Sequence, residues 1–135
     1  KVFNNLKDNN IILHILGDGK DKELLYLLKQ DLGLENVIFH GVQKNPYPFL
    51  KFADLFILSS RYEGFPNVLV EAMASGLPCI TTDVGDAKYI VEDMGWVVAP
   101  RDVAALKAAI LEYRRTLKAE KCAKFINHLN HLKRV

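Results

Sequence analysis

Glu63 and Glu71 stand eight positions apart in the stretch EGFPNVLVE, and the residues between them decide what two carboxylates can do there. Gly64 and Pro66 mark a turn, and an apolar run that reads as a helix begins near Asn67. Pro66 has a fixed φ and no amide, so it suits the first helical position. The N–H groups that follow lack intrahelical partners and together carry roughly half a positive charge, enough to bind a phosphate without a lysine. Glu71 lies about one turn in. Helical side chains lean toward the N-terminus, so its carboxylate reaches back to the same mouth. Glu63 stands on the loop before it. Two carboxylates touching a diphosphate would repel it. They make sense if each accepts hydrogen bonds from hydroxyls on either side of it, a ribose diol for one and a sugar for the other. The plainer alternative is a solvated Glu63 and a Glu71 that caps amides. An acid inside so apolar a helix needs a partner, which shifts the balance toward a ligand.

Alternating strands and helices must hold this site. Residues 11–16 (IILHIL), 37–40, 55–59 (LFILS), 79–82 and 96–99 are short apolar runs and read as five strands. Helical spacing is expected over 21–32, where Gly33 suits the C-cap, over 46–52, and over 102–117 with Asp102 as N-cap. The helix over 68–75 is apolar nearly all round and should be buried. Residues 119–135 are expected to form a C-terminal helix. Strands apolar on both faces imply an α/β fold, a Rossmann-like parallel sheet with helices on both faces. Ligands of such sheets bind outside the carboxyl ends of the strands. The loops 17–22, 41–45 and 59–67 lie there and are expected to converge on one ligand.

The chain has 135 residues, half of them hydrophobic and a quarter charged, with a net charge of +2. That is an ordinary globular profile of single-domain size, too weakly basic to argue for nucleic acid. No apolar run approaches the roughly 18 residues of a membrane span, and no secretory signal is recognisable. The two cysteines form no disulfide framework, and a cytoplasmic, reduced protein is expected. Cys79 reads as a buried small hydrophobe.

The run EGFPNVLVEAMASGLP resembles the E-x7-E region of the family-4 retaining glycosyltransferases, which have the GT-B fold. The segments ILGDGKDKELLYLLKQDLGLENVIFHGV, ADLFILSSRYEGFP and TTDVGDAKYIVEDMGWVVAP follow the same family in order and spacing, so the likeness covers roughly residues 11 to 110. It implies a nucleotide-sugar donor, a nucleoside diphosphate of uridine or guanosine, and transfer to a glycan or lipid-linked acceptor with retained anomeric configuration. By motif position Glu63, Gly64 and Phe65 would meet the donor sugar. Asn67 and Val68, with Gly17 and Gly19 across the cleft, would meet the diphosphate. Glu71 would hold the ribose, and Gly41 and Val42 would lie beside the base.

The resemblance also implies parts that are missing. In the family this domain opens with a strand and a loop carrying an arginine and a lysine for the diphosphate, and Lys1 falls after that loop. The acceptor-binding N-terminal domain lies further upstream. Peripheral membrane contact is common in the family. Many members read Gly-Gly and then Glu where this chain has Gly85-Asp86 and Lys88. No residue is cast as a nucleophile, and the isolated domain should not turn over. No cofactor is expected, and no metal, because no D-x-D pair is present. His14 reads as a core histidine, and His128, His131 and Cys122 lack a fourth ligand. Gly17-Asp18-Gly19 fits neither a dinucleotide fingerprint nor a P-loop. The competing expectations are another GT-B nucleotide-sugar enzyme, an epimerase or hydrolase, and a non-catalytic α/β interaction module.

Overall fold

A computed structural model of the chain describes residues 2–6 and 10–116. These fall into two compact units, Lys1–Pro46 and Tyr47–Val135.

In the first unit a 3-10 turn at Val2–Leu6 precedes strand β1 (Leu13–Leu16), helix α1 (Lys22–Asp31) and strand β2 (Val37–Gly41). The strands pair in parallel with Leu13 opposite Val37, and the register shifts between Ile15 and Leu16. Helix α1 sets the Tyr26 ring against Phe39 with centroids 4.5 Å apart. It closes as the sequence predicts. Gly33 N–H donates to the Gln30 carbonyl and Leu34 N–H to that of Lys29, the paired bonds of a Schellman motif, with the buried Leu34 as its apolar residue. His14 departs from expectation: it is exposed rather than a core residue. Its Nδ1 lies 2.8 Å from Nε2 of His40, because positions 14 and 40 share one face of the two-stranded ladder.

The second unit contains helix α2 (Tyr47–Phe52), strand β3 (Phe56–Leu58), helix α3 (Asn67–Ala74), strand β4 (Cys79–Thr82), helix α4 (Ala87–Val91), strand β5 (Trp96–Val98) and helix α5 (Val103–Thr116). Its sheet is parallel in the order β3-β4-β5, with Phe56 opposite Cys79 and Ile80 opposite Trp96. All four residues of β4 are buried, as a central strand covered on both faces requires. Leu58, Leu69, Met73, Cys79 and Val91 form the middle of the core. Cys79 is the buried hydrophobe expected, and desolvation pushes its thiol well above the usual range.

Helix α3 ends at Gly76, whose φ of +81° is open to glycine at little cost. Gly76 N–H donates to the Met73 carbonyl and Leu77 N–H to that of Ala72, and the buried Leu77 completes a second Schellman motif. Asp102 caps α5 as expected: its Oδ1 accepts from Ala105 N–H at 2.8 Å. Helix α4 has no counterpart in the sequence reading. Five residues are too few to show a period, although Ala87, Ile90 and Val91 are all buried. The helix expected over 119–135 and the residues His128, His131 and Cys122 lie outside the described residues. Among the described residues no helix is long and apolar enough to cross a membrane.

Candidate functional site

Because β3, β4 and β5 are parallel, the loops that follow them leave from one edge of the second unit's sheet. The first carries Glu63, and the second braces it. Thr82, at the end of buried β4, is itself buried. Its hydroxyl donates to the Ser60 carbonyl at 2.6 Å, which satisfies a polar group that burial would otherwise leave costly. Ser60 Oγ in turn donates to Glu63 Oε1 at 2.8 Å. That bond fixes one carboxylate oxygen of Glu63 and leaves lone pairs of the other for a ligand.

Gly85 lies beneath the same loop. A side chain there would run into the carbonyl oxygens of both Glu63 and Gly64, and its φ of +48° is itself one that favours glycine. Asp86 N–H donates to the Gly64 carbonyl at 3.0 Å. The turn after β4 therefore sets the height and direction of the Glu63–Gly64 backbone.

The helix α3 mouth is one residue displaced from expectation. Pro66 is the N-cap (φ −78°, ψ 89°) and not the first helical residue. Its carbonyl already accepts from Leu69 N–H at 3.0 Å. Asn67 and Val68 hold the first two helical positions, where geometry leaves N–H groups without intrahelical partners. Phe65 and Val68 are 57% and 48% exposed. The helix is thus not buried all round as expected: Leu69, Ala72 and Met73 face the core, and Val68 lies at the open mouth. Glu71 is half-buried, and its carboxylate accepts no hydrogen bond and joins no ion pair among the described residues. Only its backbone carbonyl is occupied, by Ser75 Oγ and N–H.

In the first unit, the Gly17 and Gly41 turns are joined: Gly17 N–H donates to the Gly41 carbonyl at 2.7 Å. Gly19 N–H donates to Asp18 Oδ1 at 2.8 Å, and Lys22 lies 3.7 Å from the same oxygen. A phosphate at Gly19 would have to displace that carboxylate. Val42 is 73% exposed, with its side chain open to a flat ligand.

Sequence reasoning gave Ser60 and Thr82 no role, and it noted Gly85 and Asp86 only as a departure from the family's Gly-Gly, not as a support for the Glu63 loop. Thr82 carried a readable signal, a hydroxyl at the end of a short strand that the sequence marks as buried. The Gly85 contact carried none, because it joins residues more than twenty positions apart. Among the described residues no cluster of three or more His, Cys, Asp or Glu side chains could hold a metal ion.

An uncharacterized glycosyltransferase of Methanocaldococcus jannaschii is 47% identical over 75 residues, 55% of this chain and 18% of that protein. The lipopolysaccharide 1,6-galactosyltransferase of Escherichia coli is 32% identical over 109 residues, 75% of this chain and 30% of that protein. The chain therefore spans less than a third of these curated relatives. The crystal structure of HepE from Anabaena in complex with UDP-glucose matches with a TM-score of 0.76 at 26% identity, covering 90% of this chain and 35% of that one. These likenesses identify the parallel α/β fold as one Rossmann-like half of a GT-B fold, as the sequence led us to expect. The sequence model of the Glycosyl transferases group 1 family matches residues 1–115, and the chain belongs to that family.

Proposed function

We propose that this chain is the donor-binding domain of a glycosyltransferase that moves a sugar from a nucleoside diphosphate to an acceptor hydroxyl, with retained configuration, in polysaccharide or glycolipid synthesis. The observation that carries this reading is the Glu71 carboxylate: half-buried, one turn inside the mouth of α3, and without a partner among the described residues. A carboxylate removed from water without a donor is costly, and a ribose diol supplies two hydroxyl donors. Glu63, with one oxygen fixed by Ser60, accepts from hydroxyls of the transferred sugar. The Asn67 and Val68 amides take the diphosphate between them. As the glycosidic bond breaks, negative charge grows on the departing diphosphate. Fixed N–H dipoles at the helix mouth stabilise it without reorganising.

Neither glutamate is assigned as a nucleophile, and most of the acceptor is held by a separate domain. Uridine is favoured over guanosine by the likeness to HepE, whose structure holds UDP-glucose. The synthesis of a glycan on a lipid or polysaccharide is favoured by the likeness to the E. coli galactosyltransferase. Titration calorimetry of the 135-residue chain with UDP, GDP and ADP tests the proposal. Binding of UDP in preference to ADP supports it. Binding of none of the three leaves the α/β interaction module in its place.

A further inference from the structure

Arg101 lies in the loop that leaves β5, on the same sheet edge as the Glu63 loop. Its φ is +63°, in a region that residues other than glycine seldom occupy and that proteins keep where the surroundings demand it. Nη2 of its guanidinium donates to the Tyr62 hydroxyl at 3.4 Å, a long bond that uses one of five N–H donors. No carboxylate of a described residue lies within ion-pairing distance of it. By contrast Lys88, in helix α4, has a carboxylate nearby, Asp83 at 4.0 Å. Tyr62 is 82% exposed and is followed directly by Glu63. The edge therefore presents an aromatic ring, beside it a planar cation with no ion-pair partner among the described residues, and an oriented carboxylate one residue on.

We infer that Arg101 and Tyr62 form a subsite for an anionic sugar, one that carries a carboxylate or a phosphate, placed next to the sugar held by Glu63. The inference rests on the reading of the Glu63 loop as a sugar-binding loop. A guanidinium matches either anion with two parallel N–H···O bonds. The phenol ring offers an apolar platform with a polar tip that the same guanidinium orients. The anion belongs either to the transferred sugar or to the acceptor, and separate probes distinguish the two.

The test titrates the 135-residue chain with UDP-glucuronic acid against UDP-glucose, and, with UDP present, with glucose 6-phosphate against glucose. In one of the two pairs the charged ligand binds about tenfold tighter than its neutral partner, the worth of one charge-assisted contact. Arg101→Gln removes that preference and leaves UDP affinity unchanged, and Arg101→Lys keeps only part of it, because an ammonium lacks the planar fork. Arg101→Gly relieves the positive φ, so it folds at least as well as the native chain, and it loses the preference too. Equal binding of charged and neutral ligands by the native chain overturns the inference, as does a preference that survives in Arg101→Gln. Should UDP fail to bind while glucose 6-phosphate still depends on Arg101, the nucleotide reading falls and the anion subsite stands.

Discussion

Asp86 donates its backbone N–H to the carbonyl of Gly64 at 3.0 Å, and this bond couples the turn after β4 to the loop that carries Glu63. Gly85 makes the approach possible, since any side chain there would meet the Glu63 and Gly64 carbonyls. Gly85→Ala must push the two turns apart or strain the backbone, at a cost of roughly 1–3 kcal/mol. The expected result is a lower thermal midpoint together with weaker discrimination between UDP-glucose and UDP, measured on the same sample.

Ser60 and Thr82 extend the brace. Thr82→Val keeps the shape of the side chain but removes the hydroxyl that serves the Ser60 carbonyl. Leaving that group without its donor costs about 1–3 kcal/mol, read as a shift in the urea midpoint with an unchanged slope. Ser60→Ala spares the core and frees the Glu63 carboxylate to rotate. It should lower affinity for UDP-glucose by about tenfold or more, matching the about 1.5–3 kcal/mol that hydrogen bonds to charged groups contribute, and leave UDP affinity as it was.

The sequence made a large part of this legible for local reasons. The runs around Ile15, Val37, Ile57, Ile80 and Val97 are short and largely apolar, which is enough to read them as strands, and β4 among them is buried throughout. Gly33 and Gly76 each follow the last helical turn and precede a leucine, which is a complete helix-stop signal. Asp102 is likewise a local cap. What stayed hidden depends on distance in the chain. Helix α4 is too short to show a period, and its burial comes from tertiary packing. The brace at Gly85 joins positions 63 and 85, and only the parallel pairing of β3 with β4 brings them together. His14 alternates with apolar residues, yet its face of the ladder is exposed and meets His40 instead of a core.

Gly76→Ala tests the reading of the α3 stop. The residue sits at φ +81°, where a Cβ costs about 1–2 kcal/mol, and a loss of that size in chemical denaturation is expected with nucleotide binding intact.

Cys79 sets a pH dependence. Its thiol is raised in the folded chain by desolvation, so its contribution to stability is fully present below the ordinary thiol value of about 8.5. Above that value the unfolded chain releases the proton while the folded chain keeps it, so stability falls as pH rises. Urea denaturation between neutral and alkaline pH should show this decline, and Cys79→Ala should flatten it. Native Cys79 should also resist iodoacetamide until the chain unfolds.

The most direct measurement of the central claim, that Glu71 and Glu63 hold opposite ends of one donor, is a calorimetric comparison of UDP and UDP-glucose on three chains: native, Glu71→Ala and Glu63→Ala. The account predicts that Glu71→Ala weakens both ligands by the same factor, about tenfold for a lost charge-assisted contact to the ribose, and that Glu63→Ala weakens UDP-glucose alone. Native-like binding of UDP by Glu71→Ala would contradict it, as would an equal loss of both ligands in Glu63→Ala.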